Sequence, residues 1–221
     1  MPFLLAEILN FQGSTHLIGV GSLRTLIVCC FPKASDHAVV FGCGTIGLAA
    51  SITLKWLGVE SVLICNYSEL RLNIAKEMGF ETCNMEAKDY QDKARSLWGE
   101  AYSISGQVPN IDIWLDAAGA DSILDDFMKL GKVEAKYTTV AVNNNLRNID
   151  LLRITYSSQL ICGSGGYRPE DVETVMEIMK SHQWDIEKMI TAEFPLEKLA
   201  EALDEASNAQ KNLNVVINFG E

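Results

Sequence analysis

Three glycines at a fixed spacing are the residues of this chain with the clearest chemical use. They lie in the segment Gly42-Cys43-Gly44-Thr45-Ile46-Gly47, which follows a short apolar run and precedes a helix-like stretch. In that context the first glycine permits a tight turn, the second lets backbone approach a pyrophosphate, and the third lets the helix pack closely on the strand. The first amides of the helix would then point at the phosphates. The segment therefore predicts a dinucleotide-binding loop, with a ligand-free glycine turn as the alternative.

The end of the second predicted strand is where an acidic side chain normally binds the adenosine ribose of such a nucleotide. The residue at that place is Asn66. Because asparagine carries no charge and does not repel a 2′-phosphate, both NAD and NADP remain open as the cofactor. Arg71 follows five residues later. It could stack on adenine or reach a phosphate, and the alternative is a solvated helix cation.

Two runs of small residues follow later strands. Ala117-Ala118-Gly119 and Val140-Ala141-Val142 stand at the carboxyl ends of the fourth and fifth predicted strands. Ligands of open α/β sheets bind at those ends. The small side chains would leave room for a nicotinamide ring, with backbone groups contacting its carboxamide. The alternative is tight packing of helices on the sheet.

The elements that would position these residues alternate between strand and helix from about residue 38. The predicted strands cover residues 38–41, 61–65, 81–84, 111–116, 136–142 and 159–162, with a last strand at 215–218. The predicted helices cover residues 45–57, 68–78, 87–98, 121–130 and 146–154, and two more begin at Pro169 and Pro195. Apolar strands in repeated strand–helix units indicate a parallel sheet covered on both faces. We expect an α/β fold with a doubly wound, mostly parallel, six-stranded Rossmann sheet.

Length and hydrophobic content suit one large domain. The chain has 221 residues, of which 48% are hydrophobic, so a substantial core can form without disulfides or metals. We interpret residues 1–34 as an N-terminal remnant or linker segment. Residues 35–221 would form the dinucleotide-binding domain, including the C-terminal helices and strand.

The charge balance excludes some partners. The chain has 18 basic and 29 acidic residues, a formal net charge of −11, which repels phosphate backbones and anionic membrane surfaces. The apolar stretch at residues 26–31 is too short to span a bilayer, and the first residues lack the charged leader of a signal peptide. We therefore expect a cytoplasmic protein with no nucleic-acid or membrane partner.

Cysteines and histidines do not predict a metal site. The three histidines are scattered without ligand spacing, and the six cysteines contain no CxxC pair. Because the cysteines stand mostly in apolar runs of a chain that is not small, we expect buried free thiols in a reducing compartment. These residues are His16, His37 and His182, and Cys29, Cys30, Cys43, Cys65, Cys83 and Cys162.

Several motifs occur in an order that resembles one known family. They are residues 37–48 (HAVVFGCGTIGL), residues 69–79 (ELRLNIAKEMG), Asp116-Ala117-Ala118-Gly119, Val140-Ala141-Val142, residues 161–164 and residues 194–196. Together they resemble the cofactor-binding Rossmann domain of medium-chain, zinc-type alcohol and polyol dehydrogenases, over about residues 35–219. The resemblance implies hydride transfer between a nicotinamide nucleotide, NAD or NADP, and an alcohol.

The chain departs from this family where the catalytic zinc would be held. The family's Gly-His-Glu motif is missing, because the three histidines are followed by Leu17, Ala38 and Gln183. No Ser-His-Asp, Cys-His or paired-carboxylate pattern offers a replacement, so the catalytic residues are unknown. A separate catalytic domain or chain would have to supply the zinc. The alternative hypothesis is a non-catalytic nucleotide-binding or redox-sensing module.

Two further enzyme classes fit less well. A short-chain dehydrogenase would carry Tyr-x-x-x-Lys, and no tyrosine here is followed by lysine at that spacing. A methyltransferase has a similar glycine loop, but the small-residue turns favour a nicotinamide.

The resemblance also implies an assembly. In the resembling enzymes the sixth strands of two cofactor domains pair edge to edge, and here residues 159–162 would be that apolar edge. We therefore expect a homodimer.

Overall fold

The main sheet of the protein has six parallel strands. The computed structural model describes residues 30–163, 166, 168–208 and 210–219. The strands are β1 (His37–Phe41), β2 (Ser61–Asn66), β3 (Glu81–Asn84), β4 (Glu100–Ser103), β5 (Gly106–Pro109), β6 (Ile113–Asp116), β7 (Lys136–Thr139), β8 (Leu160–Gly163), β9 (Ile190–Pro195) and β10 (Asn214–Asn218). The main sheet has the order β3-β2-β1-β6-β7-β8 and every pair in it is parallel. This confirms the predicted sheet.

Helices connect these strands and cover both faces of the sheet. They are α1 (Thr45–Trp56), α2 (Glu69–Glu77), α3 (Tyr90–Trp98), α4 (Asp121–Leu130), α5 (Leu151–Ser157), α6 (Pro169–Ser181) and α7 (Leu199–Ser207), with 3-10 turns at Ile186–Met189 and Leu196–Lys198. The core accordingly forms two clusters on opposite faces, since successive side chains of a strand point to opposite sides. Val40 and Ile64 belong to one cluster, and Phe41 and Leu63 to the other.

The second cluster is rich in aromatic rings. Phe41 meets Tyr90 edge-on with ring centroids 5.0 Å apart, and Trp114 meets Phe127 in the same way at 5.9 Å. Pairs of this geometry contribute about 0.5–1.5 kcal/mol each beyond the burial of their area. These contacts pack α3 and α4 against one face of β1 and β6. The carboxyl ends of these two strands directly precede the glycine segment at 42–47 and the small residues at 117–119.

Several predicted boundaries are corrected by local hydrogen bonds. The helix predicted to start at residue 87 begins at Tyr90, because the Asp89 carboxylate caps it by accepting from the Gln91 amide. The helix predicted at 146–154 is Leu151–Ser157, capped by Asp150. The strand predicted at 136–142 is β7, which ends at Thr139, so residues 140–142 follow the strand and are not part of it.

Two small sheets lie outside the predicted plan. Strands β4 and β5 form an antiparallel hairpin, and β9 pairs in parallel with β10 away from the main sheet. Strand β9 ends at Pro195, and the predicted helix follows it as the 3-10 turn Leu196–Lys198 and then α7. The last strand, predicted at 215–218, is Asn214–Asn218.

The chain enters the domain over one side of the sheet. Residues 1–29 of the predicted N-terminal segment lie outside the described residues, as do residues 164, 165, 167, 209, 220 and 221. Cys30 is buried against Thr138 of β7, with Sγ and Oγ1 3.1 Å apart.

In the described part of the chain, none of the helices is long and apolar enough to cross a membrane.

Candidate functional site

The glycine loop, residues 42–47, turns sharply at Gly42. This residue has φ +102°, a left-handed conformation that side chains other than glycine rarely adopt. Its amide donates to the Cys65 carbonyl over 2.9 Å. An added Cβ would lie 3.0 Å from the Ala117 carbonyl carbon. The turn therefore packs the loop between the ends of β2 and β6.

Gly47 and Gly44 differ in how much space a side chain would have at each position. A Cβ on Gly47 would lie 1.8 Å from the Gly42 carbonyl oxygen, so only glycine lets α1 pack this closely on the loop. A Cβ on Gly44 would approach one described heavy atom within 4 Å, the Arg71 Nη1, at 3.8 Å. Gly44 is the N-cap residue of α1 and has no side chain with which to cap it. The loop thus presents an open cradle and helix amides, which fits a pyrophosphate.

Cys43 fills the inner side of the loop. Its thiol is buried and donates to the Arg71 carbonyl oxygen over 3.2 Å. Burial raises the pKa of the Cys43 thiol to about 12, against a smaller opposing effect of the Arg71 charge. The thiol therefore stays protonated at neutral pH and acts as a packing group, not as a nucleophile.

Arg71 is half-buried and anchored beside the loop. Its Nε and Nη2 donate to the Asn212 carbonyl oxygen over 3.3 and 2.9 Å. The guanidinium is thus not a freely solvated helix cation. Its Nη1 faces the cradle at Gly44, where it adds positive charge.

The C-terminal strand supplies residues that sequence reasoning missed. The Thr45 hydroxyl donates to Asn214 Oδ1, and the Asn214 Nδ2 is buried without a hydrogen-bond partner in the described structure. Together with the bond from Arg71 to Asn212, this contact ties β10 to the glycine loop. The sequence carries no local signal for it, because about 170 residues separate Thr45 from Asn214.

Asn66 lies at the carboxyl end of β2, beside Asn84 of β3 in register. Its Oδ1 accepts from the Tyr67 amide over 2.7 Å. The Asn84 amide group donates to Glu69 Oε2 over 2.8 Å. Hydrogen bonds from Asn84 and Lys76 lower the pKa of Glu69. An ionised carboxylate therefore stands near the strand end where Asn66 itself has no charge.

Asp116 organises the turn at residues 117–119. Its side chain is buried at the end of β6, and Oδ1 accepts from the amides of Ala118 and Gly119 over 2.9 and 2.7 Å. Its Oδ2 accepts from the Tyr137 hydroxyl over 2.8 Å. The sequence signal is an aspartate directly before a small-residue turn, a common arrangement for side-chain-to-backbone bonds.

The two small-residue segments meet in space. A Cβ on Gly119, whose φ is +72°, would lie 3.2 Å from the Ala141 Cβ. The amides of Val140 and Ala141 both donate to the Asp116 carbonyl oxygen, over 3.1 and 3.3 Å. That shared acceptor bends the chain out of β7. Ala118 and Val142 remain exposed, and Val142 is 89% exposed.

All the predicted site residues thus lie at the edge of the sheet that the carboxyl ends of its strands form. The glycine loop contacts the 117–119 turn through Gly42, and that turn contacts the 140–142 segment through Gly119. Asn66 and Arg71 extend the same edge towards β3. The edge includes the gap between β1 and β6, where the strand order reverses, and open α/β sheets bind ligands there. Over the ranges that the structure describes, no three His, Cys, Asp or Glu side chains are grouped to hold a metal ion.

Comparison with known proteins agrees with this architecture. The sequence model of a family described as zinc-binding dehydrogenase matches residues 45–181, more than half of the chain. Sorbitol dehydrogenase 1 of Saccharomyces cerevisiae is 24% identical over 172 residues, which are 78% of this chain and 48% of that protein. L-threonine 3-dehydrogenase of Legionella pneumophila is 22% identical over 190 residues, 86% of this chain and 53% of that protein. The chain spans about half the length of the curated relatives it matches.

Solved structures share the fold at low identity. The 2R,3R-butanediol dehydrogenase of Bacillus subtilis superimposes with a TM-score of 0.77 at 20% identity, over 92% of this chain and 56% of that one. An alcohol dehydrogenase of E. coli CFT073, solved with the cofactor NADH, also gives a TM-score of 0.77 at 20% identity, over 92% of this chain and 58% of that one.

Proposed function

The chain belongs to the zinc-binding dehydrogenase family, and from this membership we propose that it is the nicotinamide-nucleotide-binding part of an alcohol or polyol dehydrogenase. The observation that carries the proposal is the open cradle at Gly44, framed by the start of α1 and by Arg71. A bound nicotinamide nucleotide would supply hydride chemistry. The chain's own residues would bind its pyrophosphate, bury its adenosine end beside Asn66, and direct its ring towards residues 117–119 and 140–142.

We propose NAD rather than NADP as the preferred nucleotide. Asn66 can hydrogen-bond the ribose hydroxyls, and the ionised Glu69 beside Asn84 would repel a 2′-phosphate. Arg71, the nearest cation in sequence, already donates to Asn212. These features favour a ribose without a phosphate.

Zinc chemistry does not fit the described residues, because they contain no metal-binding group. We therefore derive no step through zinc and propose that the groups that accept the alcohol proton lie in a separate catalytic domain or chain. The second candidate is a nucleotide-binding module without catalysis. Turnover of common polyols with added zinc supports the first candidate, and tight nucleotide binding without turnover supports the second.

We also propose a homodimer and a cytoplasmic location. Strand β8 is an edge of the main sheet, and α5 beside it exposes Leu151, Leu152 and Tyr156 at 66–73%. Such an apolar edge suits pairing with a second copy.

The cytoplasmic location is supported by the cysteines. Those in the described part of the chain form no disulfide, which suits a reducing compartment.

A fluorescence titration with NADH tests the proposed site. The unsubstituted chain should bind NADH saturably, and Gly44→Ala and Gly44→Val should weaken binding in that order as the new side chain fills the cradle. Because Gly44 has φ −87° and an added Cβ would meet only Arg71 Nη1, at 3.8 Å, Gly44→Ala should keep the melting temperature of the unsubstituted chain. Unchanged NADH affinity in the folded Gly44→Val variant would contradict the proposal.

A further inference from the structure

We propose that Cys30 and Cys162 are a thiol pair that a low-molecular-weight disulfide, such as oxidised glutathione, converts into an intramolecular disulfide. The modification would join the chain segment that enters β1 to the edge strand β8. This proposal does not rest on cofactor binding, so its outcome is separate from that of the proposed function.

The two sulfur atoms already touch. Their Sγ atoms are 4.0 Å apart although 132 residues separate them in sequence. A disulfide bond requires about 2.05 Å, so a closing movement of about 2 Å is needed. Cys162 lies on strand β8, whereas Cys30 lies in a turn before β1. The movement would bring this turn and the strand closer together.

Neighbouring contacts hold the entering segment over the same two strands. Cys30 Sγ is 3.1 Å from the Thr138 hydroxyl, and Thr138 is the register partner of Cys162. The Lys136 ammonium donates to the Phe31 carbonyl oxygen over 3.3 Å and pairs with Asp36 at 2.9 Å. These contacts keep the two thiols together before any oxidation.

Accessibility distinguishes Cys162 from the other described cysteines. Cys30, Cys43, Cys65 and Cys83 are buried, whereas Cys162 is partly buried. The hydrogen bond with Cys30, followed by burial, raises the pKa of Cys162. The pair therefore reacts slowly at neutral pH, since the thiolate is the attacking form.

The reaction proceeds by two exchanges. Cys162 loses its proton and attacks one sulfur of oxidised glutathione, which forms a mixed disulfide and releases one glutathione thiolate. Cys30 then loses its proton and attacks the Cys162 sulfur, which forms the Cys30–Cys162 bond and releases the second glutathione. The two cysteines are oxidised by two electrons, one glutathione disulfide is reduced to two thiols, and the two protons end on those thiols.

Mapping the bridge in the full chain tests the proposal. The chain is incubated with oxidised glutathione, blocked with N-ethylmaleimide and digested with trypsin without reduction. Mass spectrometry should find the peptide of residues 25–33, with one N-ethylmaleimide on Cys29, joined to the peptide that contains Cys162 and lighter by two hydrogens than the sum of the two. Because residues 25–33 contain both Cys29 and Cys30, fragmentation of the linked pair assigns the bridging residue.

Variants with a single cysteine replaced by serine test which two residues form the bridge. Cys29→Ser should keep the bridge, whereas Cys30→Ser and Cys162→Ser should lose it and keep the melting temperature of the reduced chain to within a few degrees. The oxidised chain should melt at least about 2 °C higher than the reduced chain, and a reductant should reverse the shift. A bridge through Cys29, a mixed glutathione adduct that never resolves, or full alkylation of both cysteines after oxidation would overturn the proposal.

Discussion

The Tyr137 hydroxyl donates a hydrogen bond to Oδ2 of Asp116 over 2.8 Å, and both side chains are at least 96% buried. The other oxygen of the same carboxylate accepts from the amides of Ala118 and Gly119. One buried carboxylate thus couples β7 to the turn that faces the candidate cofactor site. The arrangement is needed because a buried carboxylate oxygen without a donor is costly.

Replacing Tyr137 by phenylalanine should destabilise the protein by about 1–3 kcal/mol, since the buried Asp116 oxygen loses its donor. It should also weaken NADH binding, because the 117–119 turn loses part of its support. Urea unfolding and NADH titration measure the two effects. Tyr102→Phe is the control, because Tyr102 is 69% exposed; equal stability of the two variants would contradict the predicted role of the buried bond.

The two inner glycines of the loop should respond differently to alanine. Gly47→Ala places a Cβ 1.8 Å from the Gly42 carbonyl oxygen, and we expect a loss of about 3 kcal/mol or failure to fold. Gly44→Ala meets only Arg71 Nη1 at 3.8 Å and should change stability by less than about 0.5 kcal/mol. Urea unfolding of both variants checks the contrast, and a stable Gly47→Ala protein would show that α1 does not pack as described.

The Cys43 thiol predicts a specific alkaline destabilisation. Its pKa is raised from 9.0 in a free thiol to about 12 in the fold, so above pH 9 the unfolded chain loses this proton and the native chain keeps it. The stabilisation is complete below pH 9 and is lost as the pH rises towards 12, at up to about 1.4 kcal/mol per pH unit.

The measurement compares the unsubstituted chain with Cys43→Ala, which keeps every other titrating group. The difference in unfolding free energy between them should shrink by about 1 kcal/mol from pH ~8 to pH ~10. A difference that stays constant over this range would show that the thiol ionises equally well in both states.

Glu69 should contribute to the choice between the two nucleotides. Glu69→Gln removes the ionised carboxylate near Asn66, so NADPH binding should improve relative to NADH binding, by roughly severalfold. The ratio of the two dissociation constants is the quantity to measure. Glu77→Gln, at the other end of α2, is the charge-matched control and should leave the ratio unchanged; an equal effect of both variants would point to net charge alone.

The proposed dimer makes a backbone prediction. The Leu160 amide donates to Ala135 across the β7 side, and since amides alternate along a strand, the Ile161 amide faces the open edge. Ile161→Pro should therefore remove an intermolecular bond and leave the pairing with β7 in place. Light scattering should give a dimer for the unsubstituted chain and for Ile161→Val, and a monomer for Ile161→Pro. A monomeric unsubstituted chain at micromolar concentration would refute the dimer.

Some features of the fold escaped prediction for physical reasons. The hairpin strands Glu100–Ser103 and Gly106–Pro109 are only four residues long and mix polar and apolar residues, so their sequences show no clear alternation that distinguishes strand from loop. Strand β9 was not predicted from the sequence. Its pairing with Asn214–Asn218 depends on chain far away in sequence.

Local chemistry in the sequence determined the six-stranded alternation and the glycine loop, because glycine conformations, apolar strands and helix stops act over a few residues. Tertiary structure alone decided that Asp116 accepts from Tyr137, that Asn212 and Asn214 reach Arg71 and Thr45, and that Cys30 lies on Cys162. Each of these contacts joins residues from different elements, and most join residues far apart in the chain. Only the packed sheet, which brings strand ends and the returning C-terminal strand together, sets which polar groups meet.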